Sequence, residues 1–596
     1  MGEEKNKRED RTGKDVDERQ NRESQENDLY LGCLTKRHLI MMSVAVGLII
    51  VLIIITVTAV VLSNKSVSPA PLTFSTGGDM LDYLVEMGNI SEPDGLLATW
   101  FHRANSQDDM NKALASDAMI LEADITLHGY GTADQKPIPI MAHFPDIFSD
   151  NTLDQWLDAV LASTKGMKLD FKSLESVGLS LDLLRQKNTE RAINRPVWLN
   201  ADILPGPNVP NFVRPVNGTI FLQLIQEKFP DATLSPGWKV LYTPPIAVAS
   251  YSRAMVEDMY DMIKDVPQKV TFPVHALLVR SGWQHLKWLL SQSPRFSLTL
   301  WQGSIHPNVS DLLFVRDNTQ PSEVYYDIYE PTLSDFKQAA GNRSQVRKFY
   351  PGGDLLDFLY PTHYPGTNVS PAATQHSSLA VRWFTVNDQA SLLAQLSDGD
   401  GGMLVINVAS RSNQPDVPVV EGSGSSSEHL MLQDVLQLLE QNAHAPWGVY
   451  LRIHTHQLLE ASLNLLQSAY STENLYRPVW ISMEGLQSSD STSDFVSTVE
   501  RLFPYVTLVQ TEQNWPPMVP APLTGLSQRV AVHLNAASLI KGREQLHVLM
   551  GLMDKYDFVV ETETNSYAEA FTVLEGLMAQ RTGRANTNLY VLSNMS

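Results

Sequence analysis

Cysteine is almost missing from this chain: its 596 residues contain one. That excludes a disulfide scaffold and any CxxC zinc or redox site. Basic stripes are missing too. Lys and Arg number 45 against 66 Asp and Glu, a formal charge of −21, so nucleic acid is not an expected partner. Neither GxGxxG nor GxxxxGK[ST] occurs, which leaves no glycine loop of the nucleotide-binding kind. Apolar residues make up 43% and aromatics 8%. That is enough for two or three domains with full cores and too much for wholesale disorder.

Residues 1–38 form a polar, nearly charge-balanced tail without hydrophobic periodicity, and disorder is expected there. From Leu39 to Leu62 the chain carries no charge and is interrupted only by Ser43, Gly47, Thr56 and Thr58. The run suffices for a tilted transmembrane helix and is too long for a typical signal-peptide core. Lys36 and Arg37 precede it and only Lys65 follows closely. The positive-inside rule therefore predicts a single-pass type II membrane protein, with the tail cytosolic and the rest extracellular or lumenal. Glycosylation sequons at Asn89, Asn217, Asn308, Asn342, Asn368 and Asn594 all lie beyond the run. Asn64 also matches but abuts the membrane. Cys33, on the cytosolic side, is a candidate for lipidation by palmitate, or an ordinary reduced thiol.

The remainder repeats itself. Gly77-Gly78-Asp79 recurs as Gly352-Gly353-Asp354, Arg195-Pro196-Val197-Trp198 as Arg477-Pro478-Val479-Trp480, and Phe229-Pro230 as Phe503-Pro504. The near-constant offset marks tandem duplication of a whole domain. The expected layout is a tail (1–38), an anchor (39–62), a linker (63–76), a first barrel (77–340), a linker (341–351) and a second barrel (352–596). In the first copy, strand patterns at 98–102, 119–126, 166–172, 197–202, 233–238, 270–278, 296–301 and 324–330 alternate with helical ones such as 152–162 and 252–264. Eight such units make the α/β class, with two tandem TIM-like (β/α)8 barrels, the expected fold; an open doubly wound sheet is the alternative.

Chemistry in such barrels collects where strands end. Strand period two puts Glu122 and Asp124 on one face, and likewise Lys168, Asp170 and Lys172. Three carboxylates on neighbouring strands make a hard, oxygen-rich site suited to Mg²⁺ or Ca²⁺. His102 and His143 sit near enough in the pattern to serve as acid and base, and Lys172 to neutralise an anionic substrate. Arg103, Asn105, Lys168, Asn200 and Asp202 are candidates for contacting that substrate. Plainer readings stand beside these: Asp170 as a structural ion pair with Lys168 or Lys172, the histidines as loop or cap residues, and Asn200 and Asp202 as helix N-caps. Asp398-Gly399-Asp400 lacks the spaced acid that would close a calcium loop. The string from Glu421 to Ser427 reads as a flexible loop. His454 and His456 share a strand face without an evident third ligand.

Taken together, His102…Asn105-Ser106, Leu121-Glu122-Ala123-Asp124, Pro139-Ile140-Met141-Ala142-His143, Lys168-Leu169-Asp170-Phe171-Lys172-Ser173 and Trp198-Leu199-Asn200-Ala201-Asp202 resemble the menorin family, in its longer form with two domains and a signal anchor. Menorin domains are in turn similar to phospholipase-C-like barrels, glycerophosphodiester phosphodiesterases among them. The resemblance implies that His102 and His143 form an acid–base pair. It further implies that Glu122 and Asp124 bind a divalent metal, and that Asp170-Phe171-Lys172 answers a Glu-x-Lys element. Ala104 stands where a glycine is usual, Phe144 where an acid is, and Asp170 is one methylene shorter than the usual Glu.

In the second copy Asn387 answers Asn105, Phe384 or Thr385 answers His102, Val405 and Asn407 answer Glu122 and Asp124, and Gly422 answers His143. Arg452 answers Asp170 and Ser482 answers Asn200. Losing those carboxylates removes the charge that would hold a cation, so this barrel is expected to be a non-catalytic pseudo-domain. Two functions follow. One is a metal-dependent hydrolase or lyase acting on a phosphodiester-containing small molecule or lipid head group. The other is a non-catalytic cell-surface or shed co-ligand for an extracellular protein partner.

Overall fold

The computed structural model describes residues 36–63, 73–242, 249–342, 344–361, 380–397, 399, 401–411, 414–422, 429–486, 488–512, 515–542, 544, 546–553, 555–562, 569–570, 572–574, 576 and 588–594. The tail with Cys33, together with Asn64, Asn368, Asp398, Asp400, residues 423–427 and the side chain of Asn594, lies outside the described set. The chain divides into two units, Met1–Thr73 and Phe74–Ser596.

In the first unit the apolar run is helical from Lys36 to Ser63, 28 residues. Its side chains are described over residues 40–56 and all are exposed. That stretch alone rises about 25 Å, less than the roughly 30 Å hydrocarbon core of a bilayer. Among the described residues no helix is long and apolar enough to cross a membrane.

In the second unit the first barrel is built from β1 (Trp100–Phe101), β2 (Ile120–Leu127), β3 (Pro139–Met141), β4 (Gly166–Phe171), β5 (Val197–Pro205), β6 (Thr233–Lys239), β7 (Val270–His275), β8 (Phe296–Trp301) and β9 (Val324–Asp327). Every expected strand forms, and the expected helices appear as Leu153–Leu161 and Arg253–Ile263, N-capped by Thr152 and Ser252. The sheet runs β1-β2-β4-β5-β6-β7-β8-β9, with β3 hairpinned onto β2. All the ladders along that order are parallel. Strands neighbouring both in sequence and in space, each pair joined by a helical crossover, wind into a barrel. Among the described residues β1 and β9 share no ladder. Their seam is held by the Gly95 N–H donating to the Pro321 carbonyl at 3.0 Å and, at the mouth, by His102 on Asp327.

The second barrel comprises β10 (Ala380–Thr385), β11 (Gly402–Arg411), β12 (Gln414–Val420), β13 (Trp447–Ile453), β14 (Val479–Met483), β15 (Thr507–Thr511), β16 (Val530–Asn535), β17 (Asp557–Thr562) and β18 (Leu589–Asn594). Here β10 pairs with both β11 and β18, so the barrel closes. His454 follows β13, whereas His456 opens the helix His456–Ser471 behind the N-cap Thr455. The expected shared strand face is therefore corrected: the chain has already turned into a helix.

The repeated motifs have repeated jobs. Asp79 caps the helix Met80–Glu86 and Asp354 the helix Leu355–Leu359, one beneath each barrel. Met80 enters the first floor because Gly166 has no side chain; a Cβ there would lie 2.6 Å from the methionine sulfur. Arg195 donates to the carbonyls of Val160, Leu161, Ser163 and Lys165, and Arg477 to those of Leu439, Asn442, Ala445 and Trp447. Each buried guanidinium ties together the carbonyls of a helix end and of the turn that follows it.

Between the barrels, Arg280 reaches Glu473 at 3.0 Å and the Tyr476 hydroxyl at 3.2 Å, and lies over the Tyr470 ring. Ser310 and Lys348 also donate to Glu473, at 2.6 and 2.9 Å.

Candidate active site

β2 and β4 lie side by side with Glu122 opposite Lys168 and Asp124 opposite Asp170. The expected convergence forms: one carboxylate oxygen each from Glu122, Asp124 and Asp170 lies within 4.8 Å of the others, and all three residues are buried. Asp124 accepts from Lys172 Nζ at 2.9 Å and Asn105 Nδ2 at 2.8 Å. Lys172 also binds Asp170, which settles the ion-pair reading in favour of Lys172 over Lys168. Asn200 lies inside β5 and donates to Asp170 at 2.7 Å, its own oxygen held by Ser235 at 2.6 Å. The N-cap alternative for Asn200 is thereby excluded. Asp202, half-buried, lies one turn of the pleat further, 3.7 Å from Lys239.

His102 Nδ1 sits 2.8 Å from Asp327 and 3.6 Å from Glu122. The next residue, Arg103, adopts a left-handed φ of 61°. That turns its N–H onto Glu122 at 2.8 Å, while its guanidinium stands 3.6 Å from Asp124. Left-handed backbone is uncommon for a residue with a side chain and clusters at functional sites. On the other flank His143 Nδ1 donates to the Phe144 carbonyl at 2.7 Å, the tautomer following from that acceptor. Lys168 is 4% exposed, with its ammonium 5.8 Å from the Trp100 ring centre.

These neighbours push the titrations apart. Burial opposes the charged form of His102, but the carboxylates of Glu122 and Asp327 outweigh it and raise the imidazole to about 9. Burial holds His143 below the ordinary value, more than Asp124 can restore. Burial lifts Glu122 against the pull of His102. Asp124 is buried too, yet Lys172 and Asn105 hold it below the carboxylate range.

Asp327 and Tyr329, whose ring lies 5.8 Å from that of His102, were not anticipated. Asp327 ends the apolar strand Val324-Tyr325-Tyr326, the same signal that marked Asp124. Reading that strand on to residue 330 hid it.

The donor set fits a divalent cation: three buried carboxylates offer hard oxygens at one point. The structure thus defines a (β/α)8-barrel protein whose first mouth holds an acidic triad between two histidines and whose second mouth, among the described residues, does not. The family model for the menorin N-terminal domain matches twice, over residues 94–333 and 377–585. The chain belongs to the menorin family. It is 44% identical over 264 residues to Protein FAM151B of Homo sapiens, covering 44% of this chain and 94% of the relative.

Among solved structures, one assigned as a glycerophosphoryl diester phosphodiesterase from Silicibacter pomeroyi is 11% identical. It covers 44% of this chain and 98% of its own, with a TM-score of 0.27. A Prevotella bryantii endo-beta-mannanase/endo-beta-glucanase is 9% identical, covering 88% and 96%, also with a TM-score of 0.27.

Proposed function

We propose that the first barrel is a divalent-metal-dependent phosphodiesterase, a hydrolase or lyase, and that the helix Lys36–Ser63 anchors it in a membrane with both barrels extracellular or lumenal. One observation carries the catalytic reading: Glu122, Asp124 and Asp170 converge between two histidines whose rings are held differently. An ion on those carboxylates, Mg²⁺ or Ca²⁺, would polarise a phosphoryl oxygen. His143, its Nδ1–H spent on a neutral carbonyl, keeps a lone pair on Nε2 to take the proton of the attacking hydroxyl or water. His102, its Nδ1 on a carboxylate, favours the imidazolium and returns a proton from Nε2 to the leaving oxygen. Lys168 and Arg103 face the anionic phosphoryl group, while Asn105, Asn200 and Lys172 fix the carboxylates. Asp202, beside Lys239, borders the substrate's outer part.

A phosphodiester panel run with Mg²⁺, Ca²⁺ or EDTA tests this against Glu122→Ala. The expected result is turnover that chelation abolishes and the variant lowers by on the order of 10³. Turnover unchanged by the substitution rejects the metal mechanism.

The second barrel supports a different role, packing and contact with an extracellular partner. Its register puts Val405 and Arg452 where the first barrel has Glu122 and Asp170. The type II orientation is supported by the exposed positions of Asn89, Asn217, Asn308 and Asn342. Asn217 caps a helix through its oxygen, donated to by Ile220 at 3.1 Å, which leaves its nitrogen for a glycan. Endoglycosidase shifts that vanish on Asn→Gln at these positions check the orientation.

A further inference from the structure

Most charges of the first mouth are gathered on one side. The acidic triad, the two lysines beside it, His102 and Asp327 all stand on or just beyond β1, β2, β4 and β9. The wall formed by β7 and β8 is built differently. Phe272, Val274, Leu298 and Leu300 belong to the core shared with the surrounding helices, so strand period two turns Thr271, His275, Thr299 and Trp301 into the barrel. The Thr271 and Thr299 hydroxyls meet there at 2.7 Å. At the upper end of this wall His275 opposes Trp301, and Trp301 opposes Asp327, the residue that holds His102. One row of the barrel thus joins His102 to His275. With neighbouring strands about 4.8 Å apart, His275 lies about 10 Å along the wall from Asp327.

His275 is 4% exposed. Its backbone N–H donates to the Tyr251 hydroxyl at 2.9 Å, and its Nδ1 accepts from the Leu277 N–H at 3.3 Å. A neutral ring whose Nδ1 accepts carries its proton on Nε2. Burial holds the imidazole down at about 4, so it is uncharged at neutral pH. The ring is stacked on Tyr242 at 5.4 Å and meets Trp301 edge to face at 4.6 Å. Among the described residues the Nε2–H has no acceptor. A Cβ on Gly303 would meet only this nitrogen, at 3.7 Å, so the absent side chain leaves the space before it open.

The second copy separates two jobs of this residue. Its register puts Asn535 where the first barrel has His275, and Asn535 accepts from the Ala537 N–H at 2.8 Å. The backbone job is therefore kept without an imidazole. What is lost is the second ring nitrogen, and the Trp301 position is taken by Glu561. The unspent donor and its aromatic flank are missing from the copy that lacks the acidic triad.

We propose that His275 is a specificity-determining residue, its Nε2–H binding an oxygen of the alcohol esterified to the phosphoryl group and thereby selecting an uncharged polyol over a charged head group. This assignment rests on the phosphodiesterase reading above. A hydroxyl satisfies a buried donor that an alcohol without one leaves unpaired. A cationic group needs a carboxylate or an open aromatic face. Here the imidazole covers the Tyr242 face, and Asp202 is paired with Lys239 at 3.7 Å. An anionic group would be desolvated against a neutral ring without a counter-charge.

The test follows turnover of methyl inositol phosphate and methyl phosphocholine by the full chain with Mg²⁺ or Ca²⁺, read by phosphorus NMR. The wild type should prefer the inositol diester. His275→Asn, which keeps the backbone acceptor as Asn535 does, should lower kcat/KM on that diester about tenfold, the scale of one hydrogen bond, with less loss on the phosphocholine diester. His275→Gln, whose amide N–H reaches the place of Nε2, should restore most of the rate. A wild-type preference for phosphocholine overturns the proposal, as does equal loss on both substrates or no recovery in His275→Gln.

Histidine-selective nitrogen NMR with Ca²⁺ gives a readout that needs no turnover. Methyl inositol phosphate should shift one imidazole Nε2–H signal that His275→Asn lacks. Turnover without that shift overturns the role of His275 and leaves the phosphodiesterase reading standing. The shift without turnover removes the phosphodiesterase reading and leaves the polyol site. Neither turnover nor shift removes both.

Discussion

At the floor of the first barrel Trp198 packs on Trp100 and Tyr325, with ring centres 5.7 and 4.7 Å apart; at the floor of the second, Trp480 packs on Trp383 and Tyr590 at 6.3 and 5.1 Å. The strand register matches these residues one to one. One layer up, toward the strand C-termini, the match ends. Lys168 becomes Tyr450, Asp170 becomes Arg452, Asn200 becomes Ser482, and Glu122 and Asp124 become Val405 and Asn407. Where the first mouth gathers carboxylates, the second is spanned by Arg452 reaching Glu561 at 3.5 Å, with His533 on the same carboxylate at 3.0 Å. The floor is the part that two diverged copies both need in order to fold. The mouth is the part that one copy could lose without losing the barrel, which is what separates chemistry from architecture in this fold.

The sharpest way to break that contrast is to truncate equivalent positions. Glu122→Ala should abolish calorimetric Mg²⁺ or Ca²⁺ binding as well as turnover, whereas Val405→Ala, at the same register, should change neither and cost only stability, about 2 kcal/mol. Cation binding surviving Glu122→Ala would show that the two mouths differ less than their charges suggest. Next in size, Arg195→Met and Arg477→Met should be nearly equal, each destabilising its own barrel by about 3 kcal/mol, because each leaves a set of buried carbonyls without donors. Hydrogen exchange at the strand amides of each barrel measures this. A large inequality would mean that the repeated arginine is not the same structural device in both copies.

Much of this was legible in the sequence, for a physical reason. Strands buried on both faces read as apolar runs, and a polar residue that ends such a run must face the mouth, so Glu122, Asp124, Asp170 and Asn200 announce themselves. The one-for-one losses in the second copy were also legible. The ladders settle the open alternative, since Thr385 opposes Val405 and so holds the place of His102. In addition, Val386 donates to the Val405 carbonyl as Ala104 does to that of Glu122, so one residue of the His102–Arg103 turn has been deleted. What the sequence hid were partners distant along the chain. Asp327 meets His102 across 225 positions, and no local pattern carries that distance. The β3 hairpin was missed because three residues beginning with a proline make too short a run to show alternation.

The smallest expected effect concerns the seam where the unlike barrels meet. Glu473 accepts from Arg280, Lys348 and Ser310. Although burial opposes its charge, these donors hold its carboxyl at about 2, below the ordinary 4.5. As the pH falls the unfolded chain takes up the proton first. The contribution of Glu473 is therefore full above about pH 4.5 and is lost progressively as the pH approaches 2. Because the side chain is 40% exposed, solvent screening keeps that contribution small. Arg280→Ala should trim only a minor share of the pH-dependent part, which Ser310 and Lys348 mainly sustain, but remove the ring contacts, loosening the junction by about 2 kcal/mol. Melting should then resolve into two transitions at neutral pH, where the wild type melts as one. Glu473→Gln should reproduce only the acid-side loss. If Arg280→Ala leaves a single transition, the barrels are joined by packing such as Tyr350 on Tyr505 rather than by the charged cluster, and the second barrel's role as a partner to the first would rest on shape, not charge.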